Sequence, residues 1–265
     1  MYIFIISQYI LWGRRKEKRI TKGKKIVFWI LGVLLIFIIG TVGSIYILIH
    51  IYGHGMDKIN HGYAFGNAKL AVKTLNENFD LNISEFAAVN FTTLPKIIDK
   101  IGGLELDIDY EELQYINFYI NELNGLNGSN VSLITTTGVQ HVNGTQAMAY
   151  CRIRYTSGGD YKRTERHREV LSKMFEKILS MSPTSYPGLL SEILSMVSTS
   201  LDTSQIMELA NEVFKLGSTT LEQERFPLDG YCEDKMIGGV YYLTFDKETT
   251  VNQLHDYIFE DKKTW

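Results

Sequence analysis

Cysteine is nearly absent from the chain: Cys151 and Cys232 stand alone among 265 residues. Two thiols so far apart give no disulfide framework, and without a CxxC pair or a His–Cys cluster they suggest no zinc site. Internal repeats and low-complexity stretches are absent too. Charge is missing from one long segment: Ile26 to Ile49 (IVFWILGVLLIFIIGTVGSIYILI) contains no charged residue and no proline. About 20 apolar residues cross a bilayer, so this run is long enough to span with some tilt. A core helix rarely stays apolar on every face over such a length. The run is also too long for a signal peptide and shows no small-residue cleavage site.

What precedes the run is strongly basic. Arg14, Arg15, Lys16, Lys18, Arg19, Lys22, Lys24 and Lys25 are opposed only by Glu17. Positive-inside bias then predicts a single-pass cell-membrane protein, with a basic cytoplasmic tail over 1–25, a transmembrane helix over 26–49 and an extracytoplasmic domain over 50–265. Against a membrane span, the basic tail reads as an anchor for lipid headgroups. Met1 to Trp12 is apolar but too short to span. The chain has 27 Lys+Arg and 30 Asp+Glu. Setting aside the eight bases and one acid of the tail leaves 19 against 29, a net of about −10 for the outer part. Nucleic acid is excluded as a partner, because its binding face needs a broad basic field.

Roughly 210 residues remain for one globular domain, or at most two. Asn67 to Phe79 has helical spacing, and Glu85 to Phe91 reads as a strand. A short helix follows, capped by Thr92 or Thr93, with Pro95 in its first turn and Gly102-Gly103 at its end. Leu104 to Asp109 alternates apolar and acidic residues like a half-buried strand. This order predicts an α/β layered domain. Asn124 to Asn130 reads as a turn-rich surface loop. Asn143 caps a helix through Tyr150, and a further helix runs from about Arg163 to Leu179, stopped by Pro183 and Pro187. Two helices near 189–197 and 205–216, strands near 220–226 and 240–245, and a terminal helix near 249–259 complete the expectation.

The outer part is acidic, yet residues 150–168 (YCRIRYTSGGDYKRTERHR) pack Arg152, Arg154, Lys162, Arg163, Arg166, His167 and Arg168 around one Gly-Gly-Asp turn. Guanidinium forks match phosphate oxygens bidentately. The following helix has an apolar stripe of Val170, Leu171, Met174, Phe175 and Ile178, and stepping it back by three and four reaches Arg166, His167 and Arg163. These basic residues therefore face inward, unlike Lys173 and Lys177. Inward charge is costly unless paired. Two accounts remain open: carboxylate partners such as Asp160 and Glu165, or an anionic ligand held at the helix N-terminus. A second constellation, Lys58, Asn60 and His61, sits among glycines just before a helix start. Alone it signals only a turn or cap; beside a phosphate pocket Lys58 becomes a charge partner.

Together these segments resemble the LytR–CpsA–Psr (LCP) family. The matching pieces are Lys58-Ile59-Asn60-His61-Gly62-Tyr63, then Asn90-Phe91 and Ile98-Asp99-Lys100-Ile101-Gly102-Gly103-Leu104. They continue with Gly138-Val139-Gln140, Asn143-Gly144 and Ala147-Met148-Ala149-Tyr150, and end with Arg152-x-Arg154 through Asp160, Arg163 and Arg166. Order and spacing fit over about 54–180. The resemblance implies an α/β/α sandwich behind one N-terminal transmembrane helix. It implies a transferase moving a glycopolymer phosphate (teichoic acid, capsule or a related polymer) from a polyprenyl-pyrophosphate carrier onto peptidoglycan. It further implies that Arg152, Arg154, Arg163, Arg166, Lys58 and His167 surround the pyrophosphate and that a magnesium ion shares it.

Two departures stand out. The family's glutamines after the last arginine are His167 and Arg168 here. The family also carries an Asp-Thr-Met-like strand and a Pro-Arg-Asp motif before Lys-Ile-Asn-His, and neither is present, so some 60–100 residues of the usual layout are absent, judged against the family. This predicts an incomplete sheet, no protein ligands for magnesium and no assignable catalytic acid. The alternative function is a non-catalytic membrane protein that binds polyprenyl phosphate or wall polymer and attenuates envelope processes.

Overall fold

A computed structural model describes residues 2–6, 47–216 and 223–263. Most of the basic tail and the apolar run up to residue 46 lie outside the described residues. The chain divides into two compact units, Val89–Ser198 and the flanking Tyr2–Ala88 with Thr199–Trp265. Strands and helices are mixed in both, as the α/β expectation requires.

The flanking unit begins with β1 (Tyr2–Ile6) and continues with the hairpin of β2 (Leu48–Ile51) and β3 (Gly55–Lys58). Ile47, Ile49 and Ile51 are buried. The end of the apolar run is thus core of this unit, and the expected span loses residues 47–49. Among the described residues no helix is long and apolar enough to cross a membrane.

Helix α1 (His61–Phe79) starts earlier than its apolar periodicity predicted, because Gly66 and Asn67 (φ 56°) break the helical geometry, and the amphipathic pattern starts only beyond that kink. The sheet β1-β4-β7 is built on β4 (Glu85–Val89), with β7 at Ser198–Thr199. After α7 (Thr203–Leu216), the segment 223–226 is not a strand, contrary to expectation, whereas Cys232–Ile237 (β8) is one and pairs with β9 (Val240–Phe245). Helix α8 (Lys247–Glu260) closes the unit and buries Leu254, Tyr257 and Ile258.

The Val89–Ser198 unit holds α2 (Thr93–Lys100), β5 (Leu104–Ile108), α3 (Tyr110–Asn127), β6 (Gly138–Val142), α4 (Gly144–Arg152), α5 (Gly159–Ser180) and α6 (Tyr186–Leu194). Strand β5 alternates as predicted: Leu104, Leu106 and Ile108 are buried, while Glu105 and Asp107 face solvent. It pairs antiparallel with β6. The apparent loop at 124–130 is in part helix, since α3 runs to Asn127 and stops at Gly128 in the left-handed conformation. Its buried stripe is Ile116, Tyr119, Ile120 and Leu123. Gly144 is required by close packing: a Cβ there would stand 1.9 Å from the Pro95 carbonyl oxygen. Cys151 and Cys232 are both free thiols.

Candidate functional site

The arginine-dense segment is built by three helix ends. Helix α3 begins with a capping box, in which Asp109 accepts the Glu112 N–H at 2.7 Å and Glu112 Oε2 accepts the Asp109 N–H at 3.0 Å. Helix α4 begins with a second one, Asn143 with Gln146, and ends at Arg152. The loop 153–158 then leads into α5 through Gly158, whose φ of 86° suits glycine.

The phase argument for α5 holds: Arg163, Arg166 and His167 are buried, in line with Val170, Leu171 and Met174. Arg166 meets a carboxylate that the sequence reading did not name, Glu112. Its Nε donates to Glu112 Oε1 at 2.8 Å, its Nη1 to the Ile153 carbonyl at 3.1 Å, and its Nη2 to Thr156 Oγ1. Glu112 therefore uses one oxygen to start α3 and the other to hold Arg166. Glu165 is exposed and pairs with Lys162 at 3.1 Å. The loop is tied a second time, because Ser157 donates its N–H and its hydroxyl to Glu111 at 2.5 and 2.6 Å. Residues 153, 156 and 157 are thus fixed, and Arg154 is left exposed on the loop between them. Arg152, just before it, is partly exposed and donates to Glu122 at 2.5 Å, over the Tyr119 ring.

His167 turns away from solvent. A carbonyl only accepts, so Nε2–H donates to the Cys151 carbonyl at 2.7 Å. Burial, reinforced by the charges of Arg163 and Arg166, pushes its pKa down to about 3, and the ring is neutral at physiological pH. Burial also raises Glu169, whose carboxylate accepts from the Tyr150 hydroxyl at 2.7 Å, and it raises Tyr150 in turn. At Glu111 the two Ser157 hydrogen bonds hold the carboxyl below its ordinary value.

The structure thus brings Arg152, Arg154, Arg163, Arg166 and His167 into one segment, and Lys58 belongs to the other unit. There Lys58 lies over the Tyr242 ring at 5.5 Å, next to an Asp57–His61 pair at 2.8 Å. Burial raises Asp57, but the His61 hydrogen bond, the Lys58 N–H and both charges outweigh it and leave the carboxyl below its usual range. Sequence reading missed Glu111, Glu112, Glu122 and Ser157. The Asp109-x-x-Glu112 spacing before an apolar stripe was the available signal for the first two.

The residues described do not fit a protein-held magnesium ion. Among them no three His, Cys, Asp or Glu side chains converge as a metal site, and the carboxylates that meet the arginine segment are engaged by Ser157, Arg166 and Arg152.

Comparison with known proteins gives a consistent picture. A transferase named polyisoprenyl-teichoic acid–peptidoglycan teichoic acid transferase TagU, from Enterococcus faecalis, is 28% identical over 203 residues, 76% of this chain and 60% of that protein. The chain therefore spans about 60% of this relative's length. Protein gbs0355 of Streptococcus agalactiae has a solved structure 26% identical, with a TM-score of 0.68 over 84% of this chain and 74% of the other. YwtF (TagT) of Bacillus subtilis, solved with bound octaprenyl pyrophosphate lipid, is 24% identical with a TM-score of 0.56 over 82% and 75% of the two chains, and shares the fold. The LytR_cpsA_psr family model matches residues 46–257, most of the chain and both arginine and Lys-Ile-Asn-His segments, and the chain belongs to that family.

Proposed function

We propose that the chain transfers a phosphate-linked glycopolymer from a polyprenyl-pyrophosphate carrier to peptidoglycan at the outer face of the membrane. The observation that carries this reading is the loop 153–158, tethered at Ile153, Thr156 and Ser157, which leaves Arg154 exposed two positions after the partly exposed Arg152. Phosphoryl transfer needs positioning and charge neutralisation above all, and guanidinium forks supply both. In this reading Arg152, Arg154 and Arg163 meet the pyrophosphate. Arg166 and His167, expected as direct ligands, instead position the loop through Glu112, Ile153, Thr156 and Cys151. Magnesium would neutralise further phosphate charge; no residue of the chain is assigned to it.

The apolar run anchors the domain. A stretch of about 20 apolar residues is what one helical crossing of a roughly 30 Å hydrocarbon core requires. A single crossing would put residue 2 across the membrane from the domain, and it is incompatible with the pairing of β1 with β4 in the structure. The basic residues between 14 and 25 favour the crossing.

One observation favours the alternative of a non-catalytic binder. The chain passes from β2 to β3 through Tyr52–His54 alone, and the acid beside Lys58, Asp57, is taken by His61 and the Lys58 N–H. The test uses the full chain in nanodiscs with polyprenyl-pyrophosphate-linked glycopolymer, magnesium and peptidoglycan. Covalent product that Arg154→Ala abolishes establishes transfer. A carrier-dependent rise in thermal midpoint without product establishes the binder, and no rise and no product overturns both.

A further inference from the structure

The β8–β9 hairpin turns at Gly238-Gly239, and every residue from Glu233 to Tyr241 is exposed. Met236 is 66% exposed, Ile237 45%, Val240 40% and Tyr241 38%. The register pairs Met236 with Tyr241 and Ile237 with Val240. Successive side chains alternate faces, so one pair stands on each side of the ribbon and neither side is covered. Glu233, Asp234 and Lys235 lie farther from the turn. Single exposed apolar residues are ordinary, whereas four gathered at one turn form a contact surface.

The strand pairing says what that surface faces. Leu243 of β9 forms a parallel bridge with Ile47. Parallel neighbours have their N-terminal ends on the same side. The N-terminal end of β9 is the hairpin turn, and what lies N-terminal to Ile47 is the apolar run. Gly239 precedes Leu243 by four residues, about 13 Å at roughly 3.3 Å per residue. The turn therefore projects past Ile47 toward the side from which the run arrives. Exposed Tyr241, next to the turn, suits the headgroup level, where tyrosine is enriched.

We infer that the β8–β9 turn, through Met236, Ile237, Val240 and Tyr241, inserts into the headgroup–acyl boundary of the bilayer that anchors the chain. This inference rests on the anchored reading. It makes the hairpin a second membrane contact that fixes the tilt of its unit, where a single span would leave that unit free to swing.

The test labels the full chain, with Cys151→Ser and Cys232→Ser, at one introduced cysteine carrying an environment-sensitive fluorophore in nanodiscs. The sites are Ile237→Cys at the turn, Glu248→Cys beyond the opposite end of β9, and Ile36→Cys in the apolar run. Doxyl-labelled lipid should quench the Ile237 and Ile36 probes at least twofold and leave the Glu248 probe unchanged. If Ile36 is quenched while Ile237 behaves like Glu248, the anchor stands and the hairpin contact is overturned. If Ile36 is unquenched, the anchored reading fails and takes the inference with it. An Ile237 probe shielded from doxyl lipid, with a blue shift that grows with protein concentration, identifies a second copy as the occupant and also overturns the inference.

Discussion

Arg166 and Glu112 meet at 2.8 Å with side chains only 1% and 3% exposed. An ion pair this deep is held by its geometry, and removing one partner strands the other charge without water. Such losses cost about 3–5 kcal/mol, against about 0–1 kcal/mol for solvent-accessible pairs. Arg166→Met should therefore lower unfolding stability by several kcal/mol, and Arg152→Met, which breaks a partly exposed pair with Glu122, by about 1 kcal/mol or less. Urea unfolding of the full chain measures both. Equal losses would contradict the assignment of Arg166 to the fold.

His167 makes a second prediction, in the acid range. Its pKa falls from 6.5 to about 3 on folding. Between those values the unfolded chain binds more protons than the folded one, so the His167 contribution is intact above pH 6.5 and is lost as pH falls toward 3. The slope approaches about 1.4 kcal/mol per pH unit from this group. In His167→Gln, stability measured between pH 6 and 4 should flatten by that slope, with the Cys151 carbonyl still offered an N–H donor.

The contrast between these residues shows what the sequence could reveal. The inward phase of Arg163, Arg166 and His167 was legible, because helical periodicity extends a core stripe to whatever residue types continue it. The partner of Arg166 was not, because Glu112 lies 54 positions away and only the packing of α3 against α4 and the following loop brings it close. Local signals carried β5, the Asn143 cap and the Gly102-Gly103 stop. They failed at α1, where an amphipathic pattern begins only after the Gly66–Asn67 kink, and at β8, whose exposed, charged residues give no alternation to read. The apolar run misled in one respect: strand β2 and a membrane span draw on the same residue types, so composition could not mark where one ends and the other begins.

Gly144 tests the packing of α4 on α2. Its N–H donates to Asp99 at 2.7 Å, and an added Cβ would meet the Pro95 backbone. Backbone cannot swing aside as a side-chain tip would, so Gly144→Ala should lower the thermal midpoint by the equivalent of about 1–3 kcal/mol or more. Gly125→Ala, with nothing within 4 Å of the new methyl on the same family of helices, should be neutral or slightly stabilising.

Ser157 tests whether the loop, as distinct from the buried pair, governs the ligand. Ser157→Ala removes the hydroxyl bond to Glu111 and leaves Arg166, Glu112 and the core untouched. The global unfolding midpoint should stay unchanged, while backbone amides of 153–158 exchange with solvent faster. Affinity for polyprenyl pyrophosphate, titrated by the thermal shift of the full chain, should fall severalfold as Arg154 loses its fixed position. The same loosening has a pH signature in the wild type. The Ser157 hydrogen bonds hold the Glu111 pKa below its ordinary 4.5, so the tether is complete above that value and is lost as pH falls through the lowered one. Exchange in 153–158 should rise over that acid window in the wild type and be far less pH-dependent in Glu111→Gln. A loop whose exchange ignores both substitutions would be held by Arg166 alone.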